Sequence, residues 1–341
     1  MFTGGAKIIG IDLGSANTLI YLQNKGIVLR ESSVISIDTN DGSVIAVGKE
    51  AKAMIGKNPK NIHVIRPLRN GVIVDFDIAS TMIKYFFKSV LSSFSIRSPW
   101  AVISTPYGST DIEKRAIMEA AQQSGAKKTL LIAEPLAAAI GTGLSLEEPS
   151  GHMIVNIGAG TSEIAVISLG GIVTATSLKI AGDAIDIAIY NYLKKNYRIE
   201  IGLITAENLK IQFGDAINSS EETTYIHGID LKTGMPTAKE ISSKEINNVI
   251  QDILNDLILA IRRVFESTPP QLTSDIISKG IVLTGGSANL KNLDKYISSK
   301  LKLAIIIPSN PEECVVLGTG KIAKNTNALT KISLMGQHHF S

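Results

Sequence analysis

Two stretches of this chain, 144 positions apart, carry one pattern, and that repetition constrains the fold more than any other feature. Ile8-Ile9-Gly10-Ile11-Asp12-Leu13 is an apolar run of buried-strand type, broken by Gly14-Ser15-Ala16-Asn17 and resumed by Thr18-Leu19-Ile20-Tyr21. Ile154-Val155-Asn156-Ile157, then Gly158-Ala159-Gly160-Thr161, then Ser162-Glu163-Ile164-Ala165-Val166 restate it. Asp12 answers to Asn156, Gly14 to Gly158 and Asn17 to Thr161. A strand–turn–strand unit returning once at this distance predicts an internal duplication, not a short-period solenoid.

The surroundings of the two hairpins repeat as well. Residues 101–105 read as a strand before a helical stretch, 110–124, that Gly125 closes. Residues 280–284 read as a strand before the turn Gly285-Gly286-Ser287 and a helix carrying Leu290, Leu293 and Ile297. Leu130-Leu131-Ile132 runs directly into a helix start at Glu134-Pro135, where proline's missing N–H costs nothing and Glu134 acts as the cap. Helical periodicity also marks 205–213 and 244–266, and the polar stretch 219–240 reads as a small peripheral strand region. Alternating strands and helices predict the α/β class. At about 150 residues per domain, 341 residues give two domains or one bilobal unit.

Composition excludes several functions. Hydrophobic residues at 44% and charged residues at 19% belong to a packed globular chain, not a disordered one. The net charge of +3 supplies no field for holding nucleic acid. Cys314, the single cysteine, cannot form an internal disulfide and reads as a small buried hydrophobe, which fits a reducing cytoplasm. Residues 1–7 lack the apolar core of a signal peptide, and the apolar stretch 153–175 is interrupted by Asn156, Glu163 and four glycines, so it reads as strands and turns. The five histidines show no metal-site spacing, and no transition metal is expected.

A polar, glycine-bearing tip between two buried strands exposes backbone N–H groups with no Cβ in the way, as a phosphate chain requires. Two such tips facing each other would clamp phosphates from both sides. Asp12 and Asn156, at the ends of the leading strands, stand where they would hold Mg²⁺ through its waters. Neither GxxxxGK[ST] nor GxGxxG is present, so the site is neither a P-loop nor a dinucleotide fingerprint.

These residues resemble the MreB family of the actin superfamily. Residues 10–18 are similar to its first phosphate motif, and Arg66-Pro67-Leu68, 71–76, Glu134-Pro135 with 137–141, 163–171, Thr268-Pro269-Pro270 and 280–286 follow in the family's order. The resemblance covers essentially the whole chain apart from a loose tail at 325–341. It implies the actin-like (ribonuclease H-like) duplicated fold, two lobes with a nucleotide cleft between them. One lobe is 1–146 with 315–335 and a small insert at about 32–72; the other is 147–314 with an insert at about 183–248. It implies ATP/ADP and Mg²⁺ as cofactors and a weak ATPase coupled to filament dynamics. Its partners are further copies of itself in paired protofilaments, other members of the family, and the inner face of the cytoplasmic membrane, where such filaments control cell shape.

Carried over position by position, Gly14, Ser15, Ala16 and Asn17 cradle phosphates from one lobe, and Gly158, Ala159, Gly160 and Thr161 from the other. Gly285, Gly286 and Ser287 approach the adenine, while Glu207 and Lys210, neighbours on one helix face, belong at ribose and base. Glu134 matches the residue that orients the attacking water, with Asp12, Asn156 and Thr161 completing the catalytic set.

The chain departs from the family where Asn156 replaces the usual Asp and Ala133 a second acidic residue. One charge near Mg²⁺ is lost, which predicts retained ATP binding with slow hydrolysis. Leu91, Phe94 and Ile96, interleaved with serines and followed by Arg97, suit insertion at a bilayer surface or else plug the space under the sheet. Ile112, Ala116, Ile117 and Ala120 lie where the family pairs protofilaments, although such a stripe also suits a core. The alternatives are a sugar or acid kinase on the same duplicated fold, and a heat-shock chaperone ATPase, for whose peptide-binding domain the chain has no room.

Overall fold

Two five-stranded sheets, each built around one of the repeated hairpins, form the frame of the computed structural model, which describes residues 8–93, 98–217 and 221–324. In the first sheet Ile8–Leu13 is central. It pairs antiparallel with Asn17–Leu22, which pairs with Gly26–Ser32, and on its other side it runs parallel to Trp100–Thr105 and then Lys128–Ala133. The second sheet repeats this order with His152–Ile157 at the centre, Ser162–Ser168 and Gly171–Leu178 antiparallel, and Ile281–Thr284 and Ile305–Ile306 parallel. The registers match under the 144-residue shift: Leu13 faces Thr18 and Ile157 faces Ser162. A one-residue slip would turn every apolar side chain to the wrong face, so the shared register reflects a shared core pattern.

Helices cover both sheets. The helix Ser243–Glu266 begins with a capping box between Ser242 and Glu245 and buries Ile246, Ile250, Leu254, Leu257, Ile261 and Val264 along one stripe. At about 1.5–3 kcal/mol for each fully buried aliphatic side chain, this stripe anchors the helix to the second sheet. Asp111–Gln123 starts with a capping box at Thr110 and Glu113 and turns Ile117 and Ala120 into the first core, leaving Ile112 81% exposed. The residues expected to form one stripe are therefore divided between core and surface. Small three-stranded sheets, one formed by Val44–Val47, Ile35–Asp38 and Ile62–Ile65, the other by Ile199–Glu200, Thr223–Asp230 and Pro236–Ser242, extend the two halves.

A third core joins the halves. Val102 and Ile132 of the first sheet and Ile154 and Ile167 of the second pack with Ala137, Ala138 and Ala139 of the helix Glu134–Thr142 and with Val315 and Ile322 of the helix Cys314–Lys324. These two helices cross so closely that a Cβ at Gly141 would strike the Cys314 carbonyl, and one at Gly318 the Ala137 carbonyl. Cys314 is buried here, and burial pushes its thiol up to about 11, as suits an inert core position.

Three local expectations change. Ala133, not Glu134, occupies the cap position, so Glu134 belongs to the first helical turn. Leu290 follows a short 3₁₀ turn, Gly286–Asn289, and the helix itself begins at Leu293. Leu91 ends a helix, Phe76–Ser93, and packs half-buried against the first core, the plug rather than the bilayer reading, because the amphipathic helix needs that face for the sheet. Phe94, Ile96 and the tail lie outside the described residues. No helix among the described residues is long and apolar enough to cross a membrane.

Candidate functional site

The two hairpin tips face a cleft of about 580 Å³ between the halves, within the range of small-molecule sites. Each tip closes through one backbone bond, Gly14 N–H to the Asn17 carbonyl at 3.1 Å and Gly158 N–H to the Thr161 carbonyl at 2.9 Å. The tips are braced differently. Ser33 holds the first, its hydroxyl donating to the Gly14 carbonyl at 2.6 Å and its N–H to the Ala16 carbonyl at 2.8 Å. The second rests on the start of the helix Gly182–Asn196: Gly182 and Asp183 donate their N–H groups to the carbonyls of Gly158 and Ala159, and the Ser287 hydroxyl also donates to Gly158. The N–H groups of Ser15, Ala16, Ala159 and Gly160 find no acceptor among the described residues. Paired donors on opposing tips are a ready receptor for an anion.

The floor between the tips is acidic. The Ser104 hydroxyl donates to Asp12 at 3.2 Å, and burial nevertheless pushes the Asp12 carboxyl up to about 6. Glu134 is 8% exposed; burial first, then the charges of Glu163 and Asp12, hold its carboxyl well above the usual range. Asn156 stands beside it, its amide N–H₂ 3.5 Å from Glu134 Oε2 and its Oδ1 accepting from the Thr284 hydroxyl at 3.1 Å. Carboxyl groups gathered at such a floor favour a cation, and a carboxylate with an amide oxygen suits a hydrated Mg²⁺.

The chain has relatives among known proteins. The family model described as "MreB/Mbl protein" matches residues 6–331. The cell shape-determining protein Mbl of Bacillus subtilis is 43% identical over 330 residues, covering 96% of this chain and 99% of its own length. The cell shape-determining protein MreB of Escherichia coli is 43% identical over 339 residues, covering 98% of this chain and 96% of its own. This chain belongs to the MreB/Mbl family. Among solved structures it is similar to MreB5 of Spiroplasma citri bound to ADP, with a TM-score of 0.89, 35% identity and coverage of 94% of this chain and 97% of that one. A double helical filament of MamK matches with a TM-score of 0.80 at 21% identity, covering 94% of this chain and 99% of that one, a likeness of fold. The fold is the actin-like one that the resemblance implies, with the internal duplication that the repeated hairpin predicts.

In this MreB/Mbl chain the cleft gathers every phosphate-turn, floor and adenine-side residue singled out from the sequence: Asp12, Gly14, Ser15, Ala16, Asn17, Glu134, Asn156, Gly158, Ala159, Gly160, Thr161, Glu207, Lys210, Gly285, Gly286 and Ser287 all line it. Their partners were less legible. Glu207 and Lys210 do not pair with each other. Lys210 bonds Asp186 at 2.8 Å and donates to the Gly182 carbonyl, whereas Glu207 takes Lys52, 155 positions away, at 2.8 Å. The Ser15 hydroxyl accepts the Gly71 N–H at 2.9 Å, which fixes the side chain while its own O–H stays able to donate to a phosphate. Glu163, read from the sequence only as a break in an apolar stretch, is fully buried: its carboxylate accepts from the Tyr107 N–H at 2.9 Å and the Ser177 hydroxyl at 2.5 Å, tying the second hairpin to a loop of the first half. The available signal was a charge inside an apolar strand run, Ser162-Glu163-Ile164.

Proposed function

We propose that this chain is an ATP-binding filament protein that determines cell shape from the inner face of the cytoplasmic membrane, with weak ATP hydrolysis driving filament turnover. The observation that carries the reading is the pair of hairpin tips in one register, both presenting free N–H groups to the same cleft above an acidic floor. The relatives named for cell shape, and a neighbour bound to ADP, support it.

In this reading the tips hold the β- and γ-phosphates through backbone N–H groups, and Gly285 to Ser287 approach the base. Lys210, fixed by Asp186, and Glu207 hold the nucleoside side. Asp12 and Asn156 would hold Mg²⁺ through its waters, and bound there it would neutralise charge on the phosphate oxygens. Glu134, rigid in the first turn of its helix, accepts a hydrogen bond from the attacking water and so orients it. Its ionised form is the better acceptor for the water O–H, and because burial holds the proton on this carboxyl to higher pH than usual, hydrolysis increases with pH. Asn156 supplies a donor to Glu134 where an aspartate would add a further negative charge, and it contributes no charge toward the metal. Slow hydrolysis follows. ATP closes the two lobes, closed subunits add longitudinally in paired protofilaments, and phosphate release loosens the lattice.

High-speed pelleting of the purified chain with ATP and Mg²⁺, beside ADP and nucleotide-free samples, tests the assembly. Filaments in the ATP pellet by negative-stain microscopy are the expected result; soluble protein under every condition, together with sugar-stimulated ADP production, supports the kinase reading instead. Contact with the membrane is tested separately by liposome sedimentation, where Phe94→Ser should weaken binding; unchanged binding removes that loop as the contact.

A further inference from the structure

Two cations of the first half reach across the cleft to carboxylates of the second. Lys52 Nζ lies 2.8 Å from Glu207 Oε1, and Arg66 Nη1 lies 3.5 Å from Asp183 Oδ1; none of the four side chains is more than 31% exposed. Their placement is built into the backbone. Lys52 rides on the short helix Lys49–Ala53, entered through Gly48 at φ 79°, in the left-handed region, where a Cβ would also strike the Glu31 carboxylate. That carboxylate accepts the Lys49 N–H at 2.8 Å, and Ala51 is fully buried beneath, so the helix cannot roll Lys52 away. Arg66 leads into the hairpin Leu68–Arg69 and Val72–Ile73, whose Gly71 is held by Ser15 at the first tip. On the far side, Asp183 braces the second tip through its own N–H.

We propose that Lys52 and Arg66 form a two-point clasp across the cleft that retains a bound nucleotide until both ion pairs break. This rests on the nucleotide reading above and adds to it what sets the rate of release. Lys52 takes one oxygen of Glu207 and leaves the other for a ribose hydroxyl, so clasp and ligand engage the same carboxylate together. Both pairs must separate for the halves to move apart, whereas neither cation touches the acidic floor where hydrolysis occurs. The clasp therefore governs exchange and leaves the chemical step alone. Ion pairs with this partial exposure are screened by salt, which gives the clasp a signature that packing defects lack.

The test is the release of a base-labelled fluorescent ATP, chased with excess ATP and Mg²⁺ in a stopped-flow instrument, using the full chain. Lys52→Ala and Arg66→Ala should each release it about two- to fivefold faster, and the double variant about tenfold faster. Lys52→Arg should keep the wild-type rate. Raising salt should speed release from the wild type, an arm that uses the unaltered protein and does not depend on any variant folding; the double variant should respond to salt less. Release at the wild-type rate from both alanine variants at low salt, or salt-independent release from the wild type, overturns the clasp. A wild-type chain that binds the probe tightly but shows either result refutes the clasp alone. A wild-type chain that binds no probe in equilibrium titration refutes the nucleotide reading, and the clasp with it.

Discussion

The two hairpins share a register and a turn, yet they do unequal work at the floor of the cleft. The first ends on Asp12, a carboxyl with one hydroxyl partner, raised by burial and ready to meet a cation. The second ends on Asn156, whose amide is engaged on both sides, toward Glu134 and from Thr284. The first tip is braced by a single serine of its own sheet, the second by a helix start and a serine from across the sheet. Duplication therefore preserved the backbone receptor and let the side chains at its base diverge. A phosphate cradle depends on main-chain N–H groups and tolerates such drift; the chemistry under it does not.

Three substitutions probe that contrast, the largest effect first. Glu134→Gln keeps the size of the side chain but weakens its hold on water, and should reduce steady-state phosphate release about a hundred- to a thousandfold with nucleotide affinity little changed. It should also flatten the rise of the rate with pH. A variant that hydrolyses ATP normally would move the water-orienting role elsewhere on the floor.

Asp12→Asn makes the first hairpin resemble the second and is expected to stabilise the nucleotide-free fold. The folded chain holds the Asp12 proton up to about pH 6, against 3.8 for an aspartate free in water, so the unfolded chain binds fewer protons between those values. Stability is then highest below the lower value, falls as pH rises through the window and levels off above it, a loss of about 3 kcal/mol. Urea unfolding should show the variant more stable than the wild type at pH 7 and equal to it near pH 4. Equal stability at both would mean that Asp12 already has its charge compensated. The same variant should lose Mg²⁺-dependent nucleotide affinity, measured by titration with and without the metal.

Asn156→Asp makes the second hairpin resemble the first. It should raise phosphate release about tenfold at saturating Mg²⁺ and leave it unchanged, or lower it, without the metal, where a further negative charge simply repels Glu134. No increase at saturating Mg²⁺ would separate the slow turnover from this position.

The sequence made the repeat legible because it is written in backbone-level code, with apolar runs, small turn residues and identical spacing that require nothing from distant parts of the chain. Periodicity placed the helix starts at 110 and 244 close to where they fall, while the capping boxes at Thr110 and Ser242 that fix them were not read, although each capping residue and its glutamate stand three positions apart. At Glu207 and Lys210 spacing gave the shared helix face and not the partners. Neighbourhood on a helix face allows a pair, but Asp186 and Lys52 offered closer partners from other elements, and no local rule anticipates a contact 155 positions away. Glu163 was hidden by the opposite effect. Its strand looked like ordinary core, and only the docking of the Tyr107 loop and Ser177 shows how a carboxyl is tolerated there.

The crossing of the helices Glu134–Thr142 and Cys314–Lys324 has a consequence for biosynthesis. The second of these helices also packs on the strand Ile8–Leu13, so a strand early in the sequence is covered only by a helix that follows both sheets. Until that helix is in place the nascent first half exposes an apolar face that its own residues cannot shield, and the contacts that shield it are among the most distant in the sequence. The first sheet therefore completes its cover only once both halves of the sequence are present.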